Sequence, residues 1–350
     1  MYTVPVSKAG PTQTDRPVAS RRAALVDGFG REITYVRLSI TDRCDLRCVY
    51  CMAEDMTFLP RNELLSIEEL VQVGKTFTEL GVHKLRITGG EPLIRRGVIE
   101  LMEQLGQLPG LRSLCLTTNA THLARYAQAL HDAGVDRINI SLDSLDPERF
   151  RRLTRFGDVQ QVLEGIRAAQ RVGFSRIKLN CVALKHFNAD EVPELVRFAL
   201  DEGLDISFIE EMPLGRIDDH GRAAEFVSSA ELRALIEQQF PLVPVDDDSG
   251  GPARYWRSGT HASRIGFISP HSQNFCGSCN RVRVTAVGRL LLCLGQENSV
   301  DLRAALRASP DDPAPLREAI IAAMANKPLQ HDFNLAEEPQ ILRFMNTTGG

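Results

Sequence analysis

From Tyr35 onward the chain alternates two hydrophobic periods: short runs with every second residue apolar, and longer stretches in which apolar residues return every three or four positions. Six short runs predict strands: VRLSIT (36–41), KLRIT (84–88), RSLCLT (112–117), RINISL (137–142), RIKLNCVA (176–183) and DISFIE (205–210). The stretches between them carry helix punctuation. Ser66 and Glu69 form a capping box ahead of ELVQVGKTFTEL, which stops at Gly81. Thr121 opens a helix that ends before Gly134, Asp158 one before Gly173, and Asn188 one before Gly203. Repeated strand–helix alternation predicts an α/β fold with a parallel sheet, either open and doubly wound or curled into a barrel. Spacing does not choose between them, and both place sites at strand carboxyl ends.

The rhythm breaks after Glu211, where the polar loop MPLGRIDDHGRAAEF precedes a helix in SSAELRALIEQQF and a turn-rich linker, VDDDSGGPA. A strand RIGFIS, the loop PHSQNFCGSCN, strands RVRVTA and RLLLCL about Gly288, two helices and the tail NTTGG complete the chain. Three parts are expected: a polar, flexible leader at 1–21, the strand–helix region at 22–227, and a C-terminal region at 228–350.

A hydrophobic share of 43% supplies a sizeable core, and a net charge of −4 gives no general pull toward nucleic acid or an acidic membrane, so any anion site is local. No uninterrupted apolar run reaches the roughly 18 residues of a membrane span, and no signal-peptide core is present, so a cytoplasmic protein is expected. Eight cysteines in that setting read as metal ligands or core thiols. Cys115 and Cys181 lie alone in strand runs and read as core, while the other six form two triads.

Cys44, Cys48 and Cys51 stand at C-x3-C-x2-C spacing in TDRCDLRCVYC, giving three thiolates to a cubane of four irons and leaving one iron open to a chelating ligand. The polar neighbours Asp42, Arg43 and Arg47 argue against a core, and the loop has no fourth ligand for zinc. Cys276, Cys279 and Cys293 form the second triad. His261 or His271 could complete a zinc site there, so zinc and a second cluster both stay open. Arg281 and Arg283 follow at once, and alternation puts both guanidiniums on one face, able to clamp an anion. With Arg37, Arg86 and Lys178 in other strands, a polyphosphate ligand accounts for all five cations. The GGEP motif, Gly89 to Pro92, follows a strand directly, and its glycines allow close backbone approach to a ligand.

The first triad, with Tyr50 before its last cysteine, resembles the radical S-adenosylmethionine superfamily. That resemblance implies a partial (βα)6 TIM-type barrel with a C-terminal extension over its opening. It also implies a [4Fe-4S] cluster on Cys44, Cys48 and Cys51, and S-adenosylmethionine held by Gly90, Ser141, Met212 and the Tyr50 backbone. From about Arg22 to Gly350 the segments VRLSITDRCDLRCVYC, LRITGGEPLIRR, LTTNA, RINISLDSLD, FCGSCNRVRVTAVGRLLLCLG and the terminal GG are similar to the branch of GTP cyclases that opens molybdenum cofactor biosynthesis.

That likeness implies a second [4Fe-4S] cluster on Cys276, Cys279 and Cys293, and GTP contacts from Arg37, Arg86, Thr117, Lys178, Arg281, Val282 and Arg283. Catalytic positions would be Arg281, Arg283 and the glycines Gly349 and Gly350, which reach into the active site; deleting the pair is expected to abolish cyclisation with both clusters still assembled. The implied reaction abstracts hydrogen from C3′ of GTP and joins C3′ to C8, giving (8S)-3′,8-cyclo-7,8-dihydroguanosine 5′-triphosphate. Implied partners are a flavodoxin- or ferredoxin-type donor and cyclic pyranopterin monophosphate synthase as the next enzyme, with no nucleic acid or membrane, for a monomer or homodimer. Rival readings are a peptide-modifying radical enzyme with an auxiliary cluster and a non-catalytic metal scaffold. The family has TTNG where this chain has Asn119-Ala120, so the backbone there must accept a Cβ. The leader and the loop 215–224 also depart from the pattern.

Overall fold

The computed structural model describes residues 24–217, 221–246, 250–335 and 341–349; the leader, part of the 215–224 loop and Gly350 lie outside them. The six expected strands form as β1 (Tyr35–Ser39), β2 (Lys84–Thr88), β3 (Ser113–Thr118), β4 (Arg137–Ser141), β5 (Arg176–Ala183) and β6 (Asp205–Glu210). Each pairs in parallel with the next, in chain order. Helices α1 (Ile67–Glu79), α2 (Val98–Gly106), α3 (Leu123–Asp132), α4 (Pro147–Thr154), α5 (Val159–Val172) and α6 (Val192–Asp201) alternate with them and bury one apolar face each, such as Leu70, Val73 and Phe77 of α1.

The caps divide by what else competes for them. The Ser66–Glu69 capping box is present, and Asp158 accepts the Gln160 N–H while Gly173 closes α5 in the left-handed region. Thr121 and Asn188, expected as caps, do something else. Thr121 donates to Asp45 Oδ2 at 2.6 Å, and α3 starts two residues on. Asn188 donates to the Asp143 and Val182 carbonyls at 2.8 and 3.0 Å, tying β5 to the next loop ahead of a short 3₁₀ turn. Ala120 carries its Cβ at φ 63°, fully buried, in the left-handed conformation that favours glycine.

The later chain adds α7 (Arg222–Glu225), α8 (Ser229–Glu237), β7 (Leu242–Val245), β8 (Arg254–Ser258), β9 (Ile265–Ile268), β10 (Arg281–Val284), β11 (Arg289–Leu291), β12 (Ser299–Asp301), α9 (Leu302–Ala308), α10 (Ala314–Met324) and α11 (Met345–Thr348). These strands share the sheet of the first six. β9 joins β6 in parallel and carries β8 and β7, while β10 joins β1 in parallel and carries β11 and β12. The sheet is therefore a partial, unclosed barrel lengthened at both edges by the C-terminal region. β7, β8 and β12 escape the sequence reading; β7 is a four-residue edge strand containing Pro244, with weak local signal. None of the described helices is long and apolar enough to cross a membrane.

Candidate active site

The first triad occupies the loop leaving the carboxyl end of β1. The GGEP loop, leaving β2 beside it, is fastened to this loop by backbone bonds, Gly90 N–H to the Thr41 carbonyl and Glu91 N–H to the Arg43 carbonyl, both 2.7 Å. A Cβ on Gly90 would stand 2.2 Å from the Arg43 carbonyl oxygen, so what this glycine approaches closely is the cysteine loop. The Glu91 carboxylate, fully buried, accepts from Thr118 Oγ1, the Asn119 N–H and the Leu93 N–H at 2.7–2.9 Å. Burial outweighs those bonds and raises Glu91 to about 8. Burial, and then like charges nearby, push the Cys44 and Cys48 thiols far up and Cys51 up to about 12. Iron ligation would remove those protons outright, and donors to sulfur already stand in place: Leu46 N–H to Cys44 at 3.4 Å and Asn119 Nδ2 to Cys44 at 3.8 Å. The residues fit a cluster.

The second triad is assembled by an antiparallel turn. Arg283 pairs with Leu291, so Cys293, two residues past β11, comes back beside Cys279, two residues before β10. Lys327, buried, donates to the Leu292 carbonyl at 2.7 Å and lies 3.7 Å from Cys279 Sγ. Burial opposes ionisation of Cys279, but Arg281 and Lys327 together bring it below its ordinary value, while burial raises Cys293. Arg31, held by Asp27 at 2.6 Å, donates to the Cys276 carbonyl at 2.7 Å. His271 meets Phe226 edge to face with Nε2 against the Glu211 carbonyl, and His261 is exposed; neither lines the cavity that the cysteines share. His331 does line it, with a buried Nε2 that has no hydrogen-bond partner. Among the described residues no three His, Cys, Asp or Glu side chains gather as a single ion would need.

Because β10 runs parallel to β1, the second triad precedes the strands that the first triad follows. A five-residue strand separates the two, about 17 Å at ~3.3 Å per residue. Both triads line one cavity of about 310 Å³, in the size range of small-molecule sites. Across its wall, sheet register sets Arg283, Arg37 and Arg86 side by side on β10, β1 and β2, with Tyr35 and Arg281 paired one step earlier. Thr117, Asn139 and Lys178 make a similar row on β3, β4 and β5. Val282 points its side chain into the core, so only its backbone can meet a ligand. Arg37 Nε is buried without a partner among the described residues, and burial together with Arg37 and Arg281 drives Arg283 well below its ordinary value. Among the described residues no carboxylate forms an ion pair with Arg37, Arg86, Arg281 or Arg283. The wall is built for an anion.

Residues 38–199 match the Radical SAM superfamily, and residues 204–333 match Molybdenum Cofactor Synthesis C. The chain is similar to the GTP 3′,8-cyclase of Saccharophagus degradans, 59% identical over 94% of this chain and all of that one. It is similar also to the GTP 3′,8-cyclase of Pseudomonas entomophila, 60% identical over 93% of this chain and 98% of that one. The chain belongs to the GTP 3′,8-cyclase family. Among solved structures, Streptococcus suis SuiB bound to S-adenosylmethionine shares the fold, with a TM-score of 0.57 at 17% identity over 83% of this chain and 68% of that one.

Family membership implies a four-iron cluster and S-adenosylmethionine, and the residues expected around that ligand, Tyr50, Gly90, Ser141 and Met212, line the same cavity as the first triad. Ser141 pairs in register with Asn180, whose buried Oδ1 has no partner. The Tyr50 hydroxyl donates to Asp143 Oδ2 at 2.7 Å, and burial raises Asp143 to about 6. At the tail, Arg283 donates to the Gly349 carbonyl at 2.6 Å. Gly349 has φ 77°, and a Cβ there would fall 2.0 Å from Thr88 Oγ1, so only glycine fits. Gly350 lies outside the described residues. Tyr35, Lys327, Arg31, Asn346 and His331 were not singled out from the sequence. One signal was available for Tyr35: a phenol two residues from Arg37 on an alternating strand faces the same side.

Proposed function

We propose that this chain, an enzyme of the first step of molybdenum cofactor biosynthesis, cyclises GTP to (8S)-3′,8-cyclo-7,8-dihydroguanosine 5′-triphosphate in the space between its two triads. One observation carries the assignment of residues: the row Arg283, Arg37, Arg86 crosses the cavity between the triads with no carboxylate partner among the described residues. Arg37, Arg86, Thr117, Lys178, Arg281, Arg283 and the Val282 backbone contact the GTP, the arginines mainly through its triphosphate. S-adenosylmethionine on a four-iron cluster at Cys44, Cys48 and Cys51 supplies the hydrogen-abstracting radical. Gly90, Ser141, Met212 and the Tyr50 backbone orient that ligand, and the protein's part is placement of C3′ and C8 and exclusion of water.

The reading includes a second four-iron cluster on Cys276, Cys279 and Cys293, each thiolate binding a different iron of the cubane. Lys327 and Arg281 favour the thiolate form of Cys279. The reading includes a low-potential donor of the flavodoxin or ferredoxin type and hand-over of product to cyclic pyranopterin monophosphate synthase. Likeness to SuiB extends to the fold alone and gives a peptide substrate no support.

The test is anaerobic reconstitution, metal counting and measurement of 5′-deoxyadenosine with GTP, ATP or a peptide mixture. About eight irons per chain and release triggered by GTP are expected. Zinc in the second triad, or indifference to GTP, overturns the proposal.

A further inference from the structure

The described end of the chain is fixed at two points that belong to different halves of the chemistry. Asn346, in the single turn α11, is buried at 1% exposure. Its side-chain Nδ2 donates to the Asp42 carbonyl at 2.8 Å, two residues before Cys44. Three residues on, the Gly349 carbonyl accepts from Arg283. The turn between is closed by the Gly349 N–H to the Met345 carbonyl at 3.1 Å, leaving little freedom from one anchor to the other. Upstream, Ile341 bridges Leu214 and accepts the Gly215 N–H at 2.8 Å, while Leu342 N–H and Arg343 are held by Glu297. Asn346 Oδ1 is buried without a hydrogen-bond partner among the described residues, and the residue lines the cavity.

We infer that Asn346 is a positioning residue that locks the C-terminal turn to the first cysteine loop, so that the placement of Gly349 and Arg283 depends on the arrangement of that loop. Its unused Oδ1 is the point at which a hydroxyl or ammonium donor of a ligand held there reinforces the lock. The inference rests on the proposed cyclase reading, in which the loop holds the radical source and Arg283 the nucleotide. Breaking the lock leaves radical formation possible and misplaces its target, so the radical source is consumed without ring closure.

The test uses the full chain with Asn346→Ala, which removes the side-chain anchor, and Asn346→Asp, which keeps the size and acceptor but turns the donor to the Asp42 carbonyl into a repelling oxygen. Hydrogen exchange on the cluster-free protein reports the lock, and the ratio of 5′-deoxyadenosine to cyclised product in the reconstituted enzyme reports its purpose. Both variants should lose protection together in 42–51 and 345–349, and the ratio should rise at least several-fold at unchanged iron content. If Asn346→Ala fails to hold iron, Asn346→Asp supplies both readouts. Unchanged protection, or a ratio within twofold of the parent in a variant that retains iron, overturns the inference. A parent protein that does not respond to GTP instead overturns the cyclase reading, so the two failures are distinguishable.

Discussion

Gly90→Ala separates two reasons for a glycine in the GGEP loop. If the glycine serves approach of a ligand, a methyl group weakens S-adenosylmethionine binding and leaves the empty protein intact. The structure gives a different outcome. The added Cβ would lie 2.2 Å from the Arg43 carbonyl oxygen, 2.5 Å from its carbon and 2.8 Å from the Asp42 carbonyl oxygen. The first of these is more than about 1 Å inside ordinary contact. Backbone atoms on both sides mean that no side chain can swing away, and the two loops must separate. Overpacking of this kind costs about 1–3 kcal/mol, and the bonds from Gly90 and Glu91 to the cysteine loop are worth about 1 kcal/mol each. The sum, roughly 3–5 kcal/mol, is a large share of the 5–15 kcal/mol typical of a folded domain.

Two assays read this directly: the urea midpoint of the cluster-free protein, and iron per chain after anaerobic reconstitution. The midpoint should fall, and the first triad should lose iron while the second keeps it. Gly277→Ala is the control, because a Cβ there meets nothing within 4 Å although it lies beside Cys276. The reasoning is refuted if Gly90→Ala keeps the parent midpoint and full iron and weakens only S-adenosylmethionine.

Two further outcomes follow from charge placement. Burial alone would raise Tyr35, but Arg86, Arg37 and Lys84 outweigh it and bring the phenol down to about 7. With the folded value below the ordinary 10, stability from ionised Tyr35 is complete above about pH 10, diminishes as pH falls, and is gone below about 7. The cluster-free protein should show one tyrosinate absorbance step near pH 7 that Tyr35→Phe removes and GTP moves upward; a titration without that step defeats the reading. Asp205→Ala removes the carboxylate that holds buried Arg264 at 2.6 Å, and should cost about 3–5 kcal/mol in urea unfolding; a change under about 1 kcal/mol contradicts it.

What could be read from the chain is what local period and chemistry encode. The six parallel strands fall within two residues of their alternating runs, because each buries its own apolar residues whatever the neighbour. Ser66 and Asp158 cap as expected because no distant group competes for them, whereas Asp45 takes Thr121 and the β5 loop takes Asn188. The division of β9 and β10 between opposite edges of one sheet has no local signature, since it depends on pairing with strands 59 and 246 residues away in the register Ile206 to Ile265 and Tyr35 to Arg281. At the site, the cysteines and arginines announce themselves by type. Lys327 and Asn346 do not, because a lysine beyond a helix and an asparagine near the tail acquire meaning only from the distant groups they meet, the Cys279 sulfur and the Asp42 carbonyl.

The arginines show why a basic residue in a strand is ambiguous until its partner is known. Arg31, Arg222 and Arg264 are buried against Asp27, Glu211 and Asp205 at 2.6–3.1 Å. Pairs of this kind lose about 3–5 kcal/mol when one member is withdrawn, so an anionic ligand would have to displace a carboxylate at that penalty. The cavity arginines meet neutral acceptors instead. Arg86 donates to the Tyr35 hydroxyl at 2.8 Å and the Leu116 carbonyl at 3.0 Å, Arg283 to the Gly349 carbonyl, and Arg281 lies over the Phe275 ring. A hydrogen bond to a charged group is worth about 1.5–3 kcal/mol, and a phosphate or guanine oxygen returns it on replacing a carbonyl. Weak neutral partners hold these side chains in place while leaving their charge uncompensated for an incoming anion. Tyr35 is the exception, a partner able to ionise, and an anion bound beside these arginines shifts it toward the protonated phenol.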